Sequence, residues 1–89
     1  MLETIVPHIT ITKHATARAL ERAGTNAYAL WQKAVPITHE VAGQYTIVRT
    51  CCEYYAARWA WADFILVVQN ATLITVIPAR GYEHGEEAS

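Results

Sequence analysis

Apolar and polar residues alternate along this chain with two different periods, and the switch between them marks out its elements. Ile9 and Ile11 alternate with His8, Thr10 and Thr12, which predicts a short strand over 8–12. The period then lengthens, and residues 13–23 are predicted as a helix capped by Thr12 and stopped by a left-handed Gly24. A second helix is predicted over 26–35. It starts at Asn26, ends before Pro36 and carries a stripe of Ala27, Tyr28, Leu30, Trp31, Ala34 and Val35. Residues 36–43 read as a loop, and 44–50 as a strand built on Tyr45, Ile47 and Val48. Over 53–61 the alanines suit a helix while the aromatics favour a strand, and the strand is preferred. Residues 64–69 and 72–77 are the clearest strands, joined by a two-residue turn at Asn70-Ala71 and ended by Pro78.

The expected fold class is α+β, with two N-terminal helices packed on a twisted antiparallel β-meander. Residues 1–7 read as a leader, 8–78 as one domain and 79–89 as a flexible acidic tail holding Glu83, Glu86 and Glu87. Pairing Gln69 with Thr72 puts Phe64, Leu66, Val68, Leu73, Thr75 and Ile77 on one face of the hairpin. Ile65, Val67, Ile74 and Val76 take the other. Two short helices cover only one face of such a sheet, so a homodimer or a protein partner is expected to cover the second.

Composition sharpens this picture. With 53% hydrophobic and 17% charged residues among 89, the chain folds, and its small size leaves it only marginally stable. Three Trp and five Tyr exceed the needs of so small a core, which points to aromatic surface shared with a partner. A net charge of −1 excludes nonspecific coating of nucleic acid. Lys13, Arg18, Arg22 and Lys33, four of the seven Lys and Arg positions, nevertheless lie between residues 13 and 33. Adjacent Cys51 and Cys52 would point to opposite faces of a strand, so free thiols are expected and a disulfide is not. No basic, apolar signal opens the chain, and the longest apolar run, 64–68, is too short for a bilayer. A soluble, cytoplasmic protein without membrane contact is expected.

The candidate chemistry begins with His14, Arg18 and Arg22. Each four-residue step turns a helix by only about 40°, so the three share one face, with Ala15, Ala17, Ala19, Leu20 and Ala23 expected behind them. An imidazole can take and return a proton near neutral pH, and a guanidinium can hold two phosphate or carboxylate oxygens. His8, on a strand face with Thr10 and Thr12, is either a second acid/base or a lone surface histidine, the latter preferred, and His39 and His84 have no evident partner. A zinc site from Cys51, Cys52 and stray histidines lacks ligand spacing, so no metal or cofactor is expected. Tyr54, Tyr55, Trp59 and Trp61 suit either a core, a protein interface or base stacking.

The segment Thr12-Lys13-His14-Ala15…Arg18…Glu21-Arg22, followed by a meander closing on Phe64-Ile-Leu-Val-Val…Leu73-Ile-Thr75-Val-Ile-Pro78, resembles a family of small bacterial and phage domains. That family is related to the barnase–EndoU–colicin–RelE-like ribonuclease and toxin superfamily, and the resemblance covers residues 8–78. It implies metal-independent RNA cleavage by attack of a 2′-hydroxyl on the adjacent phosphate. His14 would then move the proton, Arg18 would bind phosphate and Thr75 would supply an active-strand hydroxyl. Lys13 and Arg22 would add charge for substrate binding. The chain departs from this pattern in not being basic, and only Arg49, Arg58 and Arg80 accompany the closing strands. The alternative is a non-catalytic module of the same fold that binds a protein through its aromatic sheet face.

Overall fold

The computed structural model describes residues 9–79. Within them β1 (Thr10–Ile11) leads into α1 (Lys13–Ala23), α2 (Ala27–Gln32), β2 (Val35–Ile37) and α3 (His39–Ala42). A hairpin pair, β3 (Glu53–Trp59) and β4 (Ala62–Gln69), then continues into β5 (Thr72–Pro78). The protein is therefore α+β, but its five-stranded sheet is mixed, in the order β1-β5-β4-β3-β2. The all-antiparallel expectation fails at β1, which runs parallel to β5 with Thr10 opposite Thr72 and Ile11 opposite Leu73. Parallel pairing follows because three helices and three strands separate β1 from β5, whereas a hairpin connection would have forced antiparallel pairing.

Local caps fix the first half. Thr12 Oγ1 accepts the Ala15 N–H at 3.0 Å, and Gly24, at φ 75°, donates its N–H to Ala19 and Leu20 carbonyls. Asn26 Oδ1 accepts from Ala29 N–H at 2.7 Å, and Thr38 Oγ1 from Val41 N–H at 3.1 Å. α2 stops at Gln32, short of the predicted 35, because Val35 leaves to pair with Ala56 on β3. The predicted loop at 36–43 thus contains most of β2 and all of α3. Pro36 is tolerated because β2 is the sheet's outer strand, where its missing N–H costs no ladder bond.

Two apolar clusters sandwich the sheet. On one face Ala15 and Ala19 of α1 and Ala27, Leu30 and Trp31 of α2 close over Ala57, Phe64, Leu66, Val68, Leu73 and Val76. Leu30, Leu66, Leu73 and Val76 are fully buried there, each worth about 1.5–3 kcal/mol of transfer free energy. Ala17 and Leu20 do not join this face; Leu20 is 64% exposed. The second face is covered by the chain itself. Ala42, Cys52 and Tyr54 are buried with Ile65, Val67 and Ala79, and Tyr45 and Val48 pack against them. This corrects two expectations. Residues 44–50 form no strand, because Tyr45 and Val48 serve as a lid over the sheet and not as members of it. The second face that motivated a homodimer is not bare: Ala42, Tyr45, Val48 and Cys52 of the chain itself cover part of it.

The β4–β5 pairing contains the decisive irregularity. Val68 lies opposite Leu73 and Val67 opposite Thr75, so Ile74 is an extra residue, a β-bulge. Beyond it every side chain of β5 changes face. Val76 enters the helix-covered core, while Ile74 and Ile77 join the second cluster. Without the bulge, Thr75 would place a hydroxyl in a dry apolar layer at a penalty of about 1–3 kcal/mol. Ala79, expected in the tail, extends the domain: it is buried and its N–H donates to the Asp63 carbonyl at 2.9 Å. The leader and residues 80–89, with Arg80 and His84, lie outside the described residues, as does His8 of the predicted first strand.

Candidate functional site

The structure does not gather the residues expected to form a catalytic centre. His14 and Lys13 are exposed at the start of α1. Arg18 Nη1 meets Glu21 Oε1 at 2.7 Å, an i,i+3 pair along the helix. Arg22 Nη1 donates to the Val76 carbonyl at 2.9 Å. That carbonyl belongs to β5 beyond the reach of the two-residue β1, so Arg22 caps a stretch of sheet edge that no strand among the described residues pairs with. Thr75, turned by the bulge, lines a cavity on the opposite face of the sheet from α1. His14 and Arg18 therefore share one helix wall, as their spacing requires, but Thr75 is not part of that wall. The expectation that it shares a face with Phe64 and Leu66 is corrected by the extra residue at Ile74.

That opposite cavity holds about 250 Å³ and opens to solvent, with exposed Ile47 and Arg49 among its lining residues. Val67, Ile74 and Ile77 give it an apolar floor, while Thr46, Arg49, Tyr54 and Thr75 bring polar groups to its walls. Its frame is rigid. The Arg49 N–H donates to Tyr54 Oη at 2.9 Å, the Cys52 N–H to the Arg49 carbonyl at 3.1 Å, and His39 Nε2 bonds the Cys52 carbonyl at 2.8 Å. The His39 ring also stands edge-on to Tyr54 with centroids 5.4 Å apart. His39, without an evident partner in the sequence, thus fastens the turn at 49–52.

Both thiols are free. Cys51 is exposed and Cys52 buried, and their sulfurs lie 3.9 Å apart because they sit in a turn and not in a strand. Burial pushes the Cys52 thiol above its ordinary 9.0, and Cys51 adds to the rise through a hydrogen bond and its charge. The Tyr54 hydroxyl and the positive charge of Arg49 pull in the other direction without cancelling it. Cys52 is accordingly a neutral, inert thiol and not a nucleophile.

A third feature lies at the tip of the β3–β4 hairpin. Trp59 pairs with Ala62, leaving Ala60 and Trp61 as a two-residue turn with φ of 53° and 71°. Trp61 is 91% exposed. Beneath it Trp59 is half-buried with the Lys33 ammonium 5.8 Å from its ring centroid, and Arg58 pairs across the strands with Asp63 at 3.3 Å. The aromatic stretch read as one cluster is thus divided. Tyr54 enters the second core, Tyr55 packs edge-on to Trp31 at 4.8 Å, and Trp61 alone reaches open solvent. The sequence flagged these aromatics but not the turn, because Ala60-Trp61 has none of the Asn or Gly that such a turn favours.

No protein family, curated protein or solved structure matches the chain. No helix among the described residues is long and apolar enough to cross a membrane.

Proposed function

We propose that this chain is a non-catalytic protein-interaction module that docks through the tip of its β3–β4 hairpin. The observation that carries this reading is Trp61. Left-handed backbone costs an L-residue about 1–2 kcal/mol, and a bulky side chain there is an outlier. Strain of this kind is tolerated where another requirement over-determines it. The two-residue turn itself demands the left-handed backbone, but nothing inside the fold demands an indole at that position, because the side chain touches almost none of its own chain. A partner does: Trp and Arg are the side chains that most often dominate the energy of a protein interface. The tip offers Trp61 as the anchor, Trp59 and Lys33 behind it, and a charged rim at Arg58 and Asp63.

The nuclease reading needs a proton-transfer group, a phosphate cradle and a strand hydroxyl in one concavity. His14 and Arg18 lie on one side of the sheet and Thr75 on the other, so the geometry favours docking over cleavage. The two are separated by one set of variants. Wild type and His14→Ala should retain the same bound protein from cell extract, and Trp61→Ala should lose it with an unchanged melting temperature. Retention that ignores Trp61 refutes the docking surface. RNA cut in the presence of EDTA by wild type, and spared by His14→Ala, would put the nuclease in its place.

A further inference from the structure

The cavity on the second face takes no part in that docking surface, and three of its features point to a ligand. First, the bulge at Ile74 brings Thr75 into its lining, and bulges that re-aim a side chain recur beside binding sites. Second, Arg49 stands in its wall with no carboxylate partner among the described residues. Third, the backbone carrying Arg49 is fastened at both ends of its turn, by Tyr54 and by the Cys52 N–H, so the site is preformed.

We propose that this cavity binds a small monocarboxylic acid with an apolar body. The body rests on Val67, Ile74 and Ile77, and the carboxylate meets the Arg49 guanidinium with the Thr75 hydroxyl as a second donor. The chemistry selects this class over its neighbours. A neutral hydrocarbon would gain nothing from the Arg49 charge, which is exposed at the cavity wall, or from the Thr75 hydroxyl. A phosphate monoester carries nearly two charges at neutral pH, and a single guanidinium matches only one of them. One guanidinium and one carboxylate match in charge and in planar geometry. The volume of about 250 Å³ falls below the roughly 300–1,000 Å³ of sites for drug-sized molecules, so the occupant is fragment-sized, no bulkier than a substituted phenyl ring.

The test titrates benzoate, and separately neutral benzamide, into the isotopically labelled full chain and follows backbone amide shifts. Benzoate should move the amides of Thr46, Arg49, Tyr54, Val67, Ile74 and Thr75 to saturation, while benzamide binds about tenfold more weakly or worse. Arg49→Gln should weaken benzoate by about tenfold and leave benzamide unchanged, and Thr75→Val should weaken benzoate severalfold. Equal responses to the acid and the amide overturn the proposal in the wild-type chain alone, whatever the variants do. So does an absence of shifts at these positions. Binding that emerges only when Glu83, Glu86 and Glu87 are all changed to Gln also overturns it, because the chain's own acids would then be the occupant.

Discussion

Replacing Trp61 by Gly should make the domain more stable and less able to bind. The φ of 71° at Trp61 lies where an L-side chain pays about 1–2 kcal/mol and glycine pays nothing. Glycine also loses more backbone freedom on folding, which returns about 0.5–1 kcal/mol to the unfolded state. The indole contributes no compensating burial at 91% exposure, so the net gain is about 0.5–1 kcal/mol. In a domain of this size that raises the melting temperature by roughly 2–8 °C. The second hairpin provides a matched control. Asn70 and Ala71 occupy the equivalent turn with φ of 53° and 58°, and Ala71→Gly relieves the same strain without touching an aromatic. Thermal unfolding followed by circular dichroism should shift upward by similar amounts for both variants. Partner retention should survive Ala71→Gly and fail with Trp61→Gly. A lower melting temperature for Trp61→Gly refutes the reasoning directly, since it would mean that the indole supports the fold.

Three further outcomes follow from the structure. Gly24→Ala should destabilise by about 1 kcal/mol in urea titration, entirely through the backbone, because a Cβ at φ 75° meets nothing within 4 Å; a neutral result would remove the left-handed stop from α1. Arg22→Ala should lower stability by about 0.5–1.5 kcal/mol through loss of its bond to the Val76 carbonyl, whereas Arg18→Ala, whose ion pair with Glu21 is solvated, should change it by no more than about 0.5 kcal/mol; the reverse ranking refutes the edge-capping role. Burial raises the Cys52 thiol above 9.0, so folding favours its neutral form. The resulting stability is intact below about pH 9 and is lost as pH climbs through the raised value. Urea titrations from about pH 8 to pH 10 should therefore decline more gently in Cys52→Ala than in wild type, and parallel curves would contradict the assignment.

The elements that announced themselves in the sequence are those specified locally. Thr12, Gly24 and Asn26 satisfy helix ends within a few residues, so α1 and the start of α2 needed no tertiary information. The β4–β5 hairpin was legible for the same reason. What stayed hidden depends on competition for burial. Tyr45, Ile47 and Val48 are strand formers by propensity, yet Tyr45 and Val48 are spent covering the sheet and Ile47 lies exposed at the cavity mouth. α3 is only four residues long, held by the Thr38 cap, and leaves no periodic trace. The bulge at Ile74 arises from the contest between Thr75 and Val76 for one dry position, which no spacing rule expresses. At the candidate sites, the shared wall of His14 and Arg18 was readable from helical geometry. The transfer of Thr75 to the far side, and of Trp61 to a turn, was not.

The flanks of the sheet limit how this protein can meet another. On one flank β2 is three residues long with a proline at its centre; on the other, Arg22 already holds the Val76 carbonyl that an incoming strand would seek. Among the described residues a visiting polypeptide thus finds no long ribbon of amides to extend, and side-by-side pairing is discouraged at both flanks. The proposed docking through the β3–β4 tip fits this arrangement, since it would be made at the ends of the strands by side chains and not by backbone.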